Sequence, residues 1–309
     1  RLTCEIKLTP FNLKECEDYF KNENIEMSRY DIVQSYMVFG GIPYYLSYFK
    51  KGMSFEGNAD NILFGKNPRL KDEFNRLFNA IFSNPEDCKK IIRLLAKKHV
   101  GFTREEIAKE TGLPFGGGLT DTLNALVESD FIQRYRPYNV SGKVSFYKLI
   151  DNFSLFWLKY VEPNTEDINF MTDNMTSNIM RVWRGVAFEE VCWQHIGQIK
   201  RALGISGVSS SISAWSVKGN DNKEGVQINL LIIRNDNVVN LCEMKFAGDI
   251  YSIDKEEDAK IRNRIQTLIN TLSPKQSVHL TMITTYGVSH TMYGGRVQQQ
   301  VILDDLFLS

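Results

Sequence analysis

The feature that most constrains this chain is a pair of apolar, β-rich runs, Gln227-Ile228-Asn229-Leu230-Leu231-Ile232 and Leu241-Cys242-Glu243-Met244-Lys245, joined by a short turn. Asn235-Asp236-Asn237 between them tolerate left-handed backbone, so the segment reads as a β-hairpin. With those three residues as the loop, Asn229 falls opposite Glu243 and Gln227 opposite Lys245. Side chains alternate along a strand, so Asn229, Glu243 and Lys245 are expected on one face.

A carboxylate and a lysine at i and i+2, with a polar group across the hairpin, match the metal-binding geometry of restriction-endonuclease-like folds. There the motif reads Asp…Glu-x-Lys, and here asparagine holds the aspartate position. In a working site of that kind, two acidic groups and a backbone carbonyl hold Mg²⁺ or Mn²⁺ through hard oxygens, and the lysine orients the attacking water. Glu189, in Arg184-Gly185-Val186-Ala187-Phe188-Glu189, can supply a carboxylate from the preceding helix. Glu224 can replace the aspartate only if the start of its strand folds inward. The candidate catalytic set is therefore Glu189, Asn229, Glu243 and Lys245, with Glu189 and Glu243 as metal ligands. A neutral amide at 229 removes about one unit of the negative charge that attracts a cation. The competing reading of Glu243 and Lys245 is a plain ion pair on the sheet, contributing up to about 1 kcal/mol.

Upstream, residues 11–83 read as mostly helical, with three-to-four spacing through Tyr30–Phe39, a break at Gly40-Gly41-Ile42-Pro43, a second near Lys66-Asn67-Pro68, and a further run from Leu70 to Phe82. The opening Leu2–Leu8 is strand-like and reads as the middle of a longer protein. Residues 84–150 give a sharper pattern. A helix over Cys88–Lys98 turns Ile91, Ile92, Leu94 and Leu95 inward, and Thr103 with Glu106 forms a capping box for a helix ending near Gly112. A third helix runs from Thr120 to Ser129, and strands follow at Phe131–Tyr135 and Val144–Leu149. Three short helices and a β-hairpin are the order of a winged helix-turn-helix. The third helix carries Asp121 and Glu128 and no Lys or Arg, so the basic candidates for DNA contact are Arg134, Arg136, Lys143, Lys97 and Lys98. A docking domain that touches no DNA has the same pattern.

Residues 151–180 read as a connector whose Phe153, Leu155, Phe156 and Trp157 are buried by neighbours. From 181 to 309 the order is helix (about Met180–Ala202), strand (Val208–Trp215), hairpin strands (226–234 and 238–246), helix (Ser252–Leu272) and strand (Val278–Thr285), with a last strand at Val297–Leu303. That helix-β-β-β-helix-β order is the core of the nuclease-like fold. The predicted fold class is α+β multidomain: helical unit 1–83, winged helix 84–150, connector 151–180 and nuclease-like domain 181–309.

Composition narrows the function classes. Lys plus Arg and Asp plus Glu each total 37 among 309 residues, so no global field draws the chain to nucleic acid or membrane, although a local basic face remains open. Five scattered cysteines without a C-x-x-C pair point to a reduced, cytoplasmic protein rather than a zinc site. No apolar run approaches about 18 residues, so no membrane partner is expected. No G-x-x-x-x-G-K-[ST] occurs, so ATP hydrolysis is not encoded in these residues. His195 reads as a packed helix residue rather than a ligand.

Leu8-Thr9-Pro10-Phe11-Asn12-Leu13, Tyr36–Leu46 with its Gly-Gly-Ile-Pro centre, Arg184–Glu189 and Leu241–Lys245 together resemble the archaeal-type ATPases of the AAA/STAND group. The resemblance covers nearly the whole chain. It implies an upstream P-loop ATPase core as partner, ATP as cofactor only with that core, and a helical lid in which Gly41 and Pro43 lie near the nucleotide. It also implies a winged helix and a C-terminal nuclease-like domain. Such relatives usually carry Asp at the position of Asn229 and often Glu at that of Gln227. Three functions follow as expectations. The first is a regulatory, nucleic-acid-interacting region with a degenerate nuclease-like site. The second is an active Mg²⁺- or Mn²⁺-dependent DNA endonuclease, and the third a protein-interaction module. Homo-oligomerisation is open to all three.

Overall fold

The structure is a computed structural model and describes every residue except 1–3, 5–6, 140–143, 165, 218 and 220–224. The strand expected over 2–8 falls largely on residues outside that set, as do Lys143 and Glu224.

The N-terminal third is helical, as its periodicity predicts: α1 (Leu13–Asn22), α2 (Arg29–Phe39), α3 (Pro43–Leu46), α4 (Phe55–Leu63) and α5 (Glu73–Ile81). Asn12 and Glu15 close a capping box on α1, and Ser28 caps α2. Every residue of α2 from Ile32 to Phe39 is buried, so α2 is the axis of this unit. It stops at Gly40, whose φ of 62° favours glycine.

Three further helices follow, with a small sheet among them: α6 (Pro85–Leu95), β1 (Phe102–Thr103), α7 (Arg104–Thr111), α8 (Gly117–Glu128), β2 (Ile132–Tyr135) and β3 (Phe146–Leu149). Thr103 and Glu106 make the expected capping box, and Gly112 ends α7 at φ 72°. Leu123 and Leu126 of α8 are buried, as are all four inward residues of α6. The antiparallel sheet has the order β1-β3-β2. β1 is two residues long and escapes any periodicity.

The expected connector contains helical elements of its own. Residues 151–180 form α9 (Asn152–Phe156), a π-helical turn (Trp157–Val161) and α10 (Phe170–Asn174), and these belong to the helical unit. Phe153, Leu155, Phe156 and Trp157 are buried, as read from the sequence. The Asn152 amide donates to the Tyr36 carbonyl at 3.1 Å and the Trp157 indole to Lys71 at 2.8 Å. Asp60 accepts from the backbone of Met171 at 2.7 Å and Thr172 at 3.0 Å. Polar residues at turns hid these elements, because what holds them is distant in sequence.

The C-terminal unit contains α11 (Asn178–Gln194), α12 (Ile196–Ala202), β4 (Ser210–Val217), β5 (Val226–Arg234), β6 (Val238–Lys245), α13 (Lys255–Ile269), β7 (Ser277–Thr284), β8 (Gln299–Ile302) and a closing 3₁₀ turn, Leu303–Phe307. One expected helix is thus two, broken at buried His195, whose ring Nδ1 lies 2.8 Å from the Val191 carbonyl and whose Nε2 accepts from the Leu13 amide at 3.0 Å. The five strands are ordered β4-β5-β6-β7-β8, antiparallel through β6 and parallel from β6 to β8. The helix α13 makes the crossover that a parallel β6–β7 pair requires.

The two faces of this sheet meet different helices. Leu230, Ile232, Cys242, Met244 and Ile283 join Phe188, Val191 and Cys192 of α11 in a core that continues into the helical unit. Leu231, Val239, Leu241, Leu280 and Met282 join Ile261 and Leu268 of α13 in a second core. The whole is an α+β multidomain protein built on a mixed five-stranded sheet. No helix among the described residues is long and apolar enough to cross a membrane.

Candidate functional site

The hairpin forms with the expected register. Its pairs run from Ile233↔Val239 to Leu230↔Cys242, and Asn237 in the loop takes φ 65°. The shared face does not form, and β4 supplies the reason. Ser213 pairs with Leu231 and Trp215 with Ile228, so two steps on β4 span three on β5. The extra residue is a β-bulge at Asn229–Leu230, which reverses the alternation beyond it. Leu231 and Ile228 consequently lie in the core under α13, although they are three residues apart, while Leu230 lies under α11. Asn229 turns toward α11.

There the Asn229 carboxamide donates to Glu189 Oε2 at 2.8 Å and accepts from the Gln227 amide at 2.6 Å. The Trp193 indole fixes the strand by donating to the Asn229 carbonyl at 2.9 Å. Glu189 projects from α11, which Ser177 caps and Trp183, Ala187, Phe188 and Val191 anchor in the core. Burial pushes the Glu189 carboxyl up to about 7. The Asn229 hydrogen bond and the Lys148 charge oppose that shift, and the Glu190 and Glu243 charges add to it.

Lys148 and Glu190, which carry no motif, lie beside this pair. Their ion pair spans 2.8 Å, with side chains 5% and 3% exposed, and joins β3 to α11. The Lys148 ammonium also lies 4.1 Å from the Trp193 ring centroid. Two hydrogen bonds continue the junction: Ser213 donates to the Arg136 carbonyl at 2.8 Å, and the Tyr138 amide to Ala214 at 3.0 Å. Only the apolar side of β3 was visible to pattern reading; a lysine facing inward has no periodic signature.

Glu243 and Lys245 keep the parity of Leu241 and face α13. Asp254 caps that helix by accepting from the Glu257 amide at 2.8 Å. Two turns separate Glu257 from Arg264, so both reach the strand from one helix face. Arg264 Nη1 lies 3.1 Å from each Glu243 oxygen, and Lys245 Nζ lies 2.7 Å from Glu257. Burial raises the Glu243 carboxyl, with Arg264 and Lys245 opposing. Burial would lower Lys245, but the Glu257 hydrogen bond prevails and raises it.

The expected metal ligands, Glu189 on α11 and Glu243 on β6, are engaged by the Asn229 amide and the Arg264 guanidinium respectively, although the Glu243 charge still reaches Glu189. These donors do not fit a divalent cation, which needs several free oxygens and net negative charge. Among the described residues no group of three or more His, Cys, Asp or Glu could hold a metal.

Of the basic candidates, Lys97, Lys98, Arg134 and Arg136 are exposed, with Lys98 5.1 Å from the Phe102 ring centroid; Lys143 lies outside the described residues. On α8, Asp121, Asn124 and Glu128 are exposed. Gly41 has a packing role. The Phe11 amide donates to its carbonyl at 2.7 Å, and a Cβ there would fall 1.8 Å from the Phe11 oxygen. Pro43 occupies the first turn of α3, where its missing N–H is not needed.

No family model matches the chain. Over 226 residues it is 26% identical to the uncharacterized protein MJECL04 of Methanocaldococcus jannaschii, covering 72% of this chain and 49% of that protein. The chain therefore spans about half the length of the curated relative it matches. Among solved structures, the crystal structure of protein VC1899 from Vibrio cholerae is similar over 79% of this chain and 55% of that one, at 12% identity and a TM-score of 0.26.

Proposed function

We propose that the chain is a binding and coupling region of a larger AAA/STAND-like ATPase, in which a nuclease-like unit has lost its catalytic constellation. The helix-β-β-β-helix-β order of α11 to β7 supports a nuclease-like ancestry. One observation carries the loss of catalysis: Glu243 and Lys245 are spent on Arg264 and Glu257 of α13, while Asn229 faces Glu189 on the other side of the sheet. These ion pairs support a reading in which Lys245 and Glu243 no longer serve water activation and metal binding. The three helices and three-stranded sheet of residues 84–150 support a winged-helix reading, with the exposed Arg134, Arg136, Lys97 and Lys98 as the DNA-facing charge. Its hydrogen bonds to β4 and the Lys148–Glu190 pair favour rigid docking on the nuclease-like unit. ATP enters only through an upstream core.

Calorimetric titration with Mn²⁺ tests the dismantled site. The expected result is no saturable binding that depends on Glu243. A stoichiometric site abolished by Glu243→Gln would instead support the metal-dependent endonuclease.

A further inference from the structure

A cavity of about 440 Å³ opens where the segment before α1, the α2–α3 break and α9 converge with the end of α11. Its walls are rich in acceptors. Glu15, Asp130 and Asp151 line it, Asp130 in an ion pair with Lys7 at 2.9 Å, and no Lys or Arg lines it among the described residues. His195 also lines it, but burial pushes its pKa down to about 4 and both ring nitrogens are engaged, by Val191 and Leu13, so it is neutral.

A second, independent feature points to a ligand. Asn152, another lining residue, is 2% exposed, and its Oδ1 has no hydrogen-bond partner. The amide cannot simply be turned over, because its Nδ2 donates to the Tyr36 carbonyl at 3.1 Å. A buried carbonyl left without a donor is uncommon and unfavourable, and a donor entering the cavity would relieve it. Asp151 has a related need. Its Oδ2 accepts from the Ser154 amide at 2.7 Å, and burial raises its pKa with no cation among the causes.

The geometry points to a binding site for a cationic amine or guanidinium, held by the Asn152 carbonyl and the Asp151 carboxylate with Glu15 adding to the negative field. Charge selects the class: Asp130 is paired with Lys7, but the Asp151 and Glu15 carboxylates, with no lining Lys or Arg among the described residues, repel an anion and favour a cation. The orphan carbonyl selects a cation that donates hydrogen bonds. The same chemistry is carried by a free diamine and by a Lys or Arg side chain of a partner polypeptide. This site is independent of the Glu189 and Glu243 regions, so its test stands apart from the reading of the nuclease-like unit.

The test is an NMR titration of the intact chain, following the side-chain amides of Asn152 and Gln194. The probes are agmatine, cadaverine, a blocked lysine amide and the neutral 1,5-pentanediol. The amines should give saturable shifts and the diol none. Tighter binding of the blocked lysine than of cadaverine assigns a polypeptide source, and the reverse a free amine. Asp151→Asn keeps a capping side chain for α9, and Glu15→Gln keeps the capping box of α1; Asp151→Asn should weaken binding about tenfold, or roughly 1.4 kcal/mol. An equal response to diol and amines, unchanged affinity in both variants, or no saturation with any amine overturns the proposal.

Discussion

The Asn229 carboxamide sits 2.8 Å from the Glu189 carboxylate, on the face of the sheet opposite Glu243 and Lys245. An aspartate at 229 would therefore meet a carboxyl that burial already holds up at about 7. Asn229→Asp is predicted to force the two carboxyls to share a proton, as like charges this close cannot both ionise. The variant should lose roughly 1–3 kcal/mol at pH 8 and less at pH 5. Urea unfolding at the two pH values measures this, and equal losses at both would contradict the placement.

Glu189 also sets a pH dependence in the unaltered protein. Its carboxyl titrates near 4.5 when solvated and near 7 when folded, so the folded state holds the extra proton between those values. Stability from this group is complete below about 4.5 and falls as pH rises through about 7, by at most roughly 3 kcal/mol. Glu189→Gln should flatten that decline and gain stability at pH 8. Parallel unfolding midpoints across pH 5–8 for the two proteins would count against it.

The buried Lys148–Glu190 pair should tolerate joint but not single replacement. Lys148→Met leaves the buried Glu190 carboxylate without its partner, at a cost of about 3–5 kcal/mol. Lys148→Met with Glu190→Leu should recover most of that loss. A double-mutant cycle by denaturant unfolding checks it, and single variants costing under about 1 kcal/mol would mean the pair is solvated.

How much of this was legible in the sequence follows from the range of each interaction. The hairpin register, the Thr103 capping box and the inward face of α6 came from spacing within a dozen residues, and the structure matches them. The bulge at Asn229 did not, because it is fixed by pairing with β4, and no residue in β5 announces it. Arg264 was equally hidden; its reach to Glu243 depends on where α13 crosses the sheet. The π-turn and short helices of 151–180 are held by Asp60 and Lys71, far upstream.

DNA binding by the 84–150 unit is predicted to be weak and indifferent to sequence, since α8 offers no Lys or Arg to a base edge. Arg134→Glu with Arg136→Glu should weaken it and lower the salt slope by about 0.9 per lost phosphate contact, whereas Asn124→Ala should change little. Fluorescence anisotropy over a salt series measures both. Strong selection of one short sequence that Asn124→Ala abolishes would overturn the assignment.

Cleavage of supercoiled plasmid in Mn²⁺ bears most directly on the dismantled nuclease-like site. Wild-type protein should leave the plasmid intact, and Asn229→Asp should not restore cutting, because the bulge turns position 229 away from Glu243 and Lys245. Nicking by the wild-type chain that disappears in Lys245→Ala would contradict this and make the protein a metal-dependent endonuclease.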